Sequence, residues 1–212
     1  LVMRMMANPI HKLGDLADVR AGYLTREAVR NDPEGTHRLL QIRDFSRDRA
    51  IVNVTDMVRL TPESRSSVCP LQPGDVVFLA KGANNFAAAV PDLPSPTLAA
   101  SYFFILRPSP AILSGYLAWF LNHESTRALL TRLATTGAHM PIIRRDVLEA
   151  LEIPLPPLTT QNAIAALDSL RLQEQALLTD LARKQQELIS SVCMTTARRT
   201  IETTILEGAP HE

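Results

Sequence analysis

The spacing of apolar residues along this chain changes character twice, and the changes divide it into three stretches. In the first stretch the apolar runs are short. Leu13, Leu16 and Val19 stand three apart and predict a short helix or strand over residues 13–19, followed by a loop from Arg20 to Arg26. Residues 38–42 and 51–54 alternate, which predicts strands joined by a charged turn over 44–49. Leu71-Gln72-Pro73-Gly74-Asp75 reads as a turn, with proline setting one φ and glycine relieving the next. The unbroken apolar run 76–80 then predicts a buried strand. Residues 86–90 and 100–106 predict two more, separated by a loop broken at Pro91, Pro94 and Pro96. This is a β-rich pattern of short, irregular strands without βαβ repeats.

In the second stretch the period becomes helical. Over residues 114–134, Leu117, Phe120, Leu121, Leu129, Leu130 and Leu133 form an inner face, with Trp119 and Phe120 read as core. Asn122-His123-Glu124-Ser125 splits the segment into two helices, with Ser125 predicted to cap the second. A glycine-containing loop over 135–141 and a short helix over 145–150 follow. Ile153-Pro154-Leu155-Pro156-Pro157-Leu158 must then be extended, because consecutive prolines cannot lie inside a helix. Thr159 or Thr160 is the expected cap of what comes next.

The third stretch holds neither proline nor glycine from Gln161 to Glu207. Ile164, Leu167, Leu170, Leu177, Leu178, Leu181, Leu188 and Val192 recur at spacings that make one apolar stripe, interrupted by Glu174, Lys184 and Gln185. A helix over 160–197 is about 55 Å long at 1.5 Å per residue, too long to bury its stripe on a small domain. The expected cover is a helix from another chain. The fold class is therefore α+β: a β-rich irregular domain over 8–157, a long protruding helix over 158–199, and a tail over 200–212.

Composition narrows the function classes. Apolar content of 46% in 212 residues is ample for a core, and low net charge argues against disorder. Cys69 and Cys193 stand far apart without metal-like spacing, as in a reduced, cytoplasmic protein. The longest apolar stretch, 98–106, is about half of the ~20 residues a membrane helix requires, so no membrane partner is expected. Residues 1–7 lack an apolar core of signal-peptide length. The net charge of +0 counts against nucleic-acid binding, yet of 22 basic residues only Lys12, Lys81 and Lys184 are lysine. Arginine suits bidentate contacts to phosphate or guanine, although GC-rich codon usage gives the same skew.

The proline junction, Ile153 through Ile164, resembles the I-P-L-P-P-L-x-E-Q-x-x-I phrase of specificity subunits of type I restriction-modification systems. Other phrases follow in the family's order. Residues 12–22, with Leu13-Gly14-Asp15-Leu16 and Gly22, are similar to its opening L-G-(D/E)-(I/L)-x-x-(I/V)-x-x-G. Leu39-Leu40-Gln41-Ile42-Arg43-Asp44, Gly74-Asp75-Val76-Val77 and the loop from Thr136 to Ile143 resemble its later segments. Thr160 replaces the usual glutamate, and Gly22-Tyr23-Leu24-Thr25 stands where the family has G-G-T-P, which changes the path of that loop. The resemblance implies a DNA target-recognition domain followed by a spacer helix. A full subunit of the family has two of each in one chain, and no internal repeat is present here. The resemblance thus implies a half-subunit: a homodimer through the long helix that reads a split palindromic site on double-stranded DNA. It also implies DNA methyltransferase (modification) subunits as direct partners and a restriction/motor subunit as an indirect one.

Catalytic signatures are missing from the sequence. There is no (N/D)-P-P-(Y/F) methyltransferase loop, no Asp-x-Lys or Glu-x-Lys nuclease motif and no phosphate-binding G-x-x-x-x-G-K loop. His11, His37, His123, His139 and His211 show no ligand spacing, so neither metal nor cofactor is expected and the chain is read as non-catalytic. What remains is recognition, which needs phosphate clamps and polar side chains that reach base edges. Four loops supply candidates: Arg20, Tyr23, Thr25 and Arg26; then Arg43, Arg47 and Arg49; then Lys81, Asn84 and Asn85; then Thr136, Gly137, His139 and Met140 with Arg144 and Arg145. Arg43, Arg47 and Arg49 fit a solvated turn beside Asp44 and Asp48 at least as well as a phosphate clamp. Asparagine is also an ordinary turn residue, and glycine at 137 equally suits the end of the preceding helix. Two other readings share these features: a recognition module of another defence or fused-type restriction system, and a dimeric helical scaffold that binds only protein.

Overall fold

The computed structural model describes residues 8–25, 29–46, 49–51, 54–63, 68–93, 96–135 and 140–207, with side chains through 197. Residues 1–169 and 170–212 form two separate compact units. In the first, the chain order is β1 (Ile10–Lys12), α1 (Leu13–Leu16), β2 (Ala17–Ala21), β3 (His37–Leu40), β4 (Val58–Leu60), β5 (Val76–Leu79), β6 (Ala87–Ala89), β7 (Thr97–Ala99), β8 (Phe103–Pro108), α2 (Ser114–Asn122), α3 (Glu124–Leu133), α4 (Arg145–Glu149) and β9 (Glu152–Pro154). Helix α5 (Leu158–Glu207) starts in this unit and continues through the second.

The strands form a four-stranded sheet in the order β2-β8-β5-β6, a three-stranded sheet β4-β3-β7, and the pair β1-β9. All pairings are antiparallel except β3 with β7. Strand β5 explains how the domain is layered. Its four residues are all buried, and alternate side chains enter different cores. Val76 and Phe78 join the helices α1 to α4, whereas Val77 and Leu79 meet Leu39, Leu40 and Leu98 of the three-stranded sheet. The unbroken apolar run thus marks a strand covered on both faces, with helices on one side and a second sheet on the other.

Gly22 joins the two sheets. Its N–H donates to Phe103 at 2.9 Å and the next N–H, of Tyr23, donates to Ala99 at 2.7 Å. A Cβ at position 22 would lie 2.2 Å from the Ala100 carbonyl oxygen, so no larger residue fits the crossing. Asp75, 1% exposed, fixes the turn before β5: its carboxylate accepts from the Gln72 N–H at 2.8 Å and from both Nε and Nη2 of Arg107 at 2.8 and 2.9 Å. That hydrogen-bonded carboxylate raises the Arg107 pKa further above its ordinary value.

Several expectations are corrected. The segment 13–19 is a helix and then a strand, and β1, β4 and β7 were not foreseen. Ile42 leaves the expected strand for a 3-10 turn over 42–44, held by the Asp44 carboxylate accepting from the Gln41 N–H at 2.7 Å. Burial raises the Asp44 pKa, and the Gln41 N–H opposes that rise. The expected strand over 51–54 is reduced to a single bridge between Ile51 and Phe45, and residues 52–53 lie outside the described residues. Of the expected strand over 100–106 only 103–106 is strand, within β8; 100–102 form the turn after β7, where Phe103 N–H donates to Ala100. The helical segment does split where predicted, but Ser125 lies within α3 and His123 precedes it as the cap residue. Ser125 Oγ instead meets His123 Nδ1 at 2.8 Å. Leu133 is 48% exposed and leaves the inner face, which Thr126 joins.

Helix α5 begins at Leu158, so Thr159 and Thr160 occupy its first turn instead of capping it. The Pro157 carbonyl accepts from the N–H groups of Thr160 and Gln161 at 2.9 and 3.0 Å. Extended prolines present that carbonyl while having no N–H of their own to satisfy. The helix runs to Glu207, past the expected end near 197, because no breaker precedes Gly208. Its start is locked by Gln161, which is fully buried. The side-chain Oε1 accepts from Leu113 N–H at 2.9 Å, and Nε2 donates to the carbonyls of Pro156 at 2.8 Å and Ala111 at 3.1 Å. Beside it Gly115 packs so closely that a Cβ there would lie 2.9 Å from the Ala165 Cβ. Ile164 also packs on the helix-side core.

Candidate nucleic-acid interface

Two of the predicted loops are stitched together. Ala80 to Gly82, at the end of β5, runs beside Pro141 to Ile143, and Thr135 at the end of α3 flanks the same segment. Gly82 N–H donates to Pro141 at 2.9 Å, Ile143 N–H to Ala80 at 2.9 Å, and Thr135 N–H to Ile142 at 3.0 Å. Lys81 and Thr135 each form an isolated bridge with Ile142. Gly82 has φ +106° with open space around it, so its left-handed backbone, rather than crowding, calls for glycine. The sequence places these segments some sixty residues apart; the fold makes them one surface.

On that surface Lys81 is half-buried and Asn84 is exposed, while Met140 is 53% exposed. Lys81 makes no ion pair among the described residues. Asn85 is buried, and its Nδ2 donates to the Leu79 carbonyl at 2.8 Å. Its amide nitrogen thus shapes the loop and leaves Asn84 as the side chain on offer. Arg144 pairs with Asp146, and Arg145 with Glu149 at 2.7 Å. Both pairs are solvent-exposed, and such pairs typically contribute only ~0–1 kcal/mol, so a phosphate can replace the carboxylate at little cost. Thr136, Gly137 and His139 lie outside the described residues.

The first predicted loop is not joined to this surface by any hydrogen bond among the described residues. Arg20 sits on β2, paired with Asp18 at 2.6 Å, with Nη1 3.7 Å from Cys69 Sγ. Tyr23 packs against the sheet-side core, and its hydroxyl accepts from the Glu63 N–H at 3.2 Å. Thr25 is half-buried; Arg26 and Arg47 lie outside the described residues.

Sequence reasoning missed the wall that faces the Lys81 loop. A cleft of about 510 Å³ opens between Ala83 and Asn85 on one side and Glu124, Arg127 and Thr131 of α3 on the other. Asn122 fixes its width, with Oδ1 accepting from Ala87 N–H at 2.9 Å and Nδ2 donating to the Ala87 carbonyl at 2.7 Å. The α3 positions at i, i+3 and i+7 share one face of the helix, and that periodicity was visible in the sequence.

The stripe on α5 behaves differently at its two ends. Ile164 is half-buried, whereas Leu167, Leu170, Leu177, Leu178, Leu181, Leu188 and Val192 are 53–71% exposed. Among the described residues no group of three His, Cys, Asp or Glu side chains is placed to hold a metal ion, and no helix is long and apolar enough to cross a membrane.

A β-rich domain with helices on one face, passing through prolines into one long helix, is an arrangement found in solved structures. No family model and no curated protein matches the sequence. In structure the chain is similar to the HsdS subunit from Thermoanaerobacter tengcongensis, at a TM-score of 0.55 and 19% identity over 81% of this chain and 38% of that one. It is similar to the type I restriction-modification S subunit from M. genitalium, at 0.52 and 19% over 87% and 45%. A chain from a structure describing complex assembly and conformational transition of the type I restriction-modification system gives 0.55 and 20% over 97% and 47%. The chain shares the fold of these subunits and spans less than half of their length.

Proposed function

We propose that this chain is a sequence-specific DNA-recognition element that acts as the specificity subunit of a type I restriction-modification system. The observation that carries the reading is the fold shared with S subunits over 81–97% of this chain. The domain over 8–157 reads DNA through the joined surface of Lys81, Asn84, Met140, Arg144 and Arg145, with Thr136, Gly137 and His139 in the adjoining loop. Arg20, Tyr23, Thr25 and Arg26 flank the duplex. The chain catalyses nothing itself. It acts in the cytoplasm, positioning methyltransferase subunits and, through them, a restriction/motor subunit.

Two copies pair along the helix spanning 158–199. The exposed leucines supply the seam, and a two-fold dimer presents two recognition domains to the two halves of a split palindrome. Methylome sequencing of a host with and without the gene tests this. The expected gain is one modified motif with two short inverted half-sites around an unread spacer. A continuous, non-palindromic motif overturns the paired reading, and no gene-dependent methylation overturns the specificity role. Lys81→Ala should weaken binding on all sequences alike, whereas Asn84→Ala should change which sequence is preferred.

A further inference from the structure

The cleft between α3 and the Lys81 loop is not accounted for by the loops that carry the proposed function. Its α3 wall presents Glu124 and Arg127, one helical turn apart, and neither makes an ion pair among the described residues. On an isolated helix, residues at this spacing are natural salt-bridge partners. Here the carboxylate and the guanidinium both remain uncommitted beside the recognition surface. The opposite wall adds Asn85, whose Nδ2 is engaged with Leu79, which leaves the side-chain oxygen as an acceptor. The cleft therefore offers one strong bidentate donor group together with acceptors.

That combination discriminates among DNA features. A phosphate would gain from Arg127 but be repelled by Glu124 on the same wall. A G·C base pair matches both groups from the major groove: guanine presents N7 and O6 acceptors, the commonest specific target of arginine, and cytosine presents the N4 amino donor to a carboxylate. An α-helix fits the major groove, and the polar face of α3 is the one that carries Glu124, Arg127 and Thr131. The cleft is also held open in advance, because Asn122 ties the end of α2 to the edge strand β6 and Asn85 shapes the facing loop.

We infer that α3 is a base-reading helix, with Arg127 and Glu124 together specifying a G·C pair in the site. This rests on the DNA-recognition reading above and assigns one position of the target to two residues. The test is selection of bound duplexes from a randomised library by the full chain, alongside Arg127→Gln and Glu124→Gln. Glu124 is exposed and Arg127 half-buried, and glutamine keeps a polar side chain at both positions. The unmodified chain should select a motif with an invariant G·C pair. Arg127→Gln should lower the guanine preference at that position by about tenfold or more. Glu124→Gln should admit A·T at the same position, because glutamine pairs with adenine. An equal loss of affinity on every sequence makes Arg127 a phosphate contact and overturns the inference. So does an unchanged motif in both variants; in those two cases DNA recognition itself survives. If the unmodified chain selects no duplex at all, the DNA reading and this inference fall together.

Discussion

Replacing Gln161 should loosen the start of α5 from the recognition domain, and the size of the effect follows from three hydrogen bonds. Gln161→Ala leaves the Leu113 N–H without its acceptor and the carbonyls of Pro156 and Ala111 without the amide donor. An unsatisfied buried N–H costs ~1–3 kcal/mol, and each lost carbonyl bond about 1 kcal/mol, less for Ala111, which water can reach. The total is roughly 2–5 kcal/mol, a large part of the ~5–15 kcal/mol that holds an ordinary domain together. In urea the unfolding midpoint should fall with little change in slope, and the melting temperature should drop by on the order of 10 °C. Gln161→Met separates packing from hydrogen bonding, since it refills the volume without polar atoms. Gln161→Glu keeps an acceptor for Leu113 but turns a carboxylate toward two carbonyls, so it should be no milder than alanine. A loss below about 1 kcal/mol for the alanine variant would show that this buried amide does not hold the junction.

The other predictions concern the core turn and the helix. Asp75→Ala should destabilise the domain by about 2–4 kcal/mol in urea unfolding, because it strands both the Arg107 guanidinium and the Gln72 N–H; the low end applies because Arg107 remains partly solvated. Leu181→Glu with Leu188→Glu should yield a folded monomer by sedimentation, whereas the unmodified chain at tens of micromolar should be dimeric. A monomeric unmodified chain would refute the paired helix.

How much of this was legible in the sequence depended on whether each feature was local. The proline junction, the α2–α3 break and the long helix were legible because proline chemistry and helical period act within a few residues. Strand β5 was legible because a strand buried on both faces needs an unbroken apolar run. The strands β1, β4 and β7 were not, since three-residue strands carry too little pattern and exist only through distant partners. β1 pairs with β9 across more than 140 residues of chain. The site followed the same division. Lys81, Asn84 and Arg144 could be picked as loop residues, but that two of those loops form one surface is a matter of pairing through Ile142. Asn84 and Asn85 are indistinguishable as letters; only the Leu79 carbonyl separates them. Arg127 was passed over because attention to the apolar face of α3 left its polar face unread.

The distribution of exposed apolar residues also constrains how recognition and assembly divide the chain. In the second unit none of the described side chains is buried, so that part of α5 has no tertiary packing of its own. Helices gain most of their stability from such packing, and pairs at i,i+3 or i,i+4 contribute only ~0.2–0.5 kcal/mol each. Arg183 bridges Asp180 and Glu187, with Arg183–Glu187 at 2.8 Å. At 100° per residue these three fall along one flank of the stripe formed by Leu177, Leu181 and Leu188. The ion pairs thus support that flank, while the stripe itself is interrupted by the charged Glu174 and Lys184 and the polar Gln185. Those interruptions weaken the seam but also restrict which register two copies can adopt, as polar residues do in coiled-coil seams. Fully burying a leucine contributes ~1.5–3 kcal/mol, and a seam that half-buries seven apolar residues on each of two helices gains roughly 10–20 kcal/mol before an association cost of about 4–15 kcal/mol. On the proposed pairing, that balance leaves assembly sensitive to each seam residue. It also places that sensitivity entirely outside the surface that would read bases, so substitutions in α5 should alter assembly without altering which sequence is preferred.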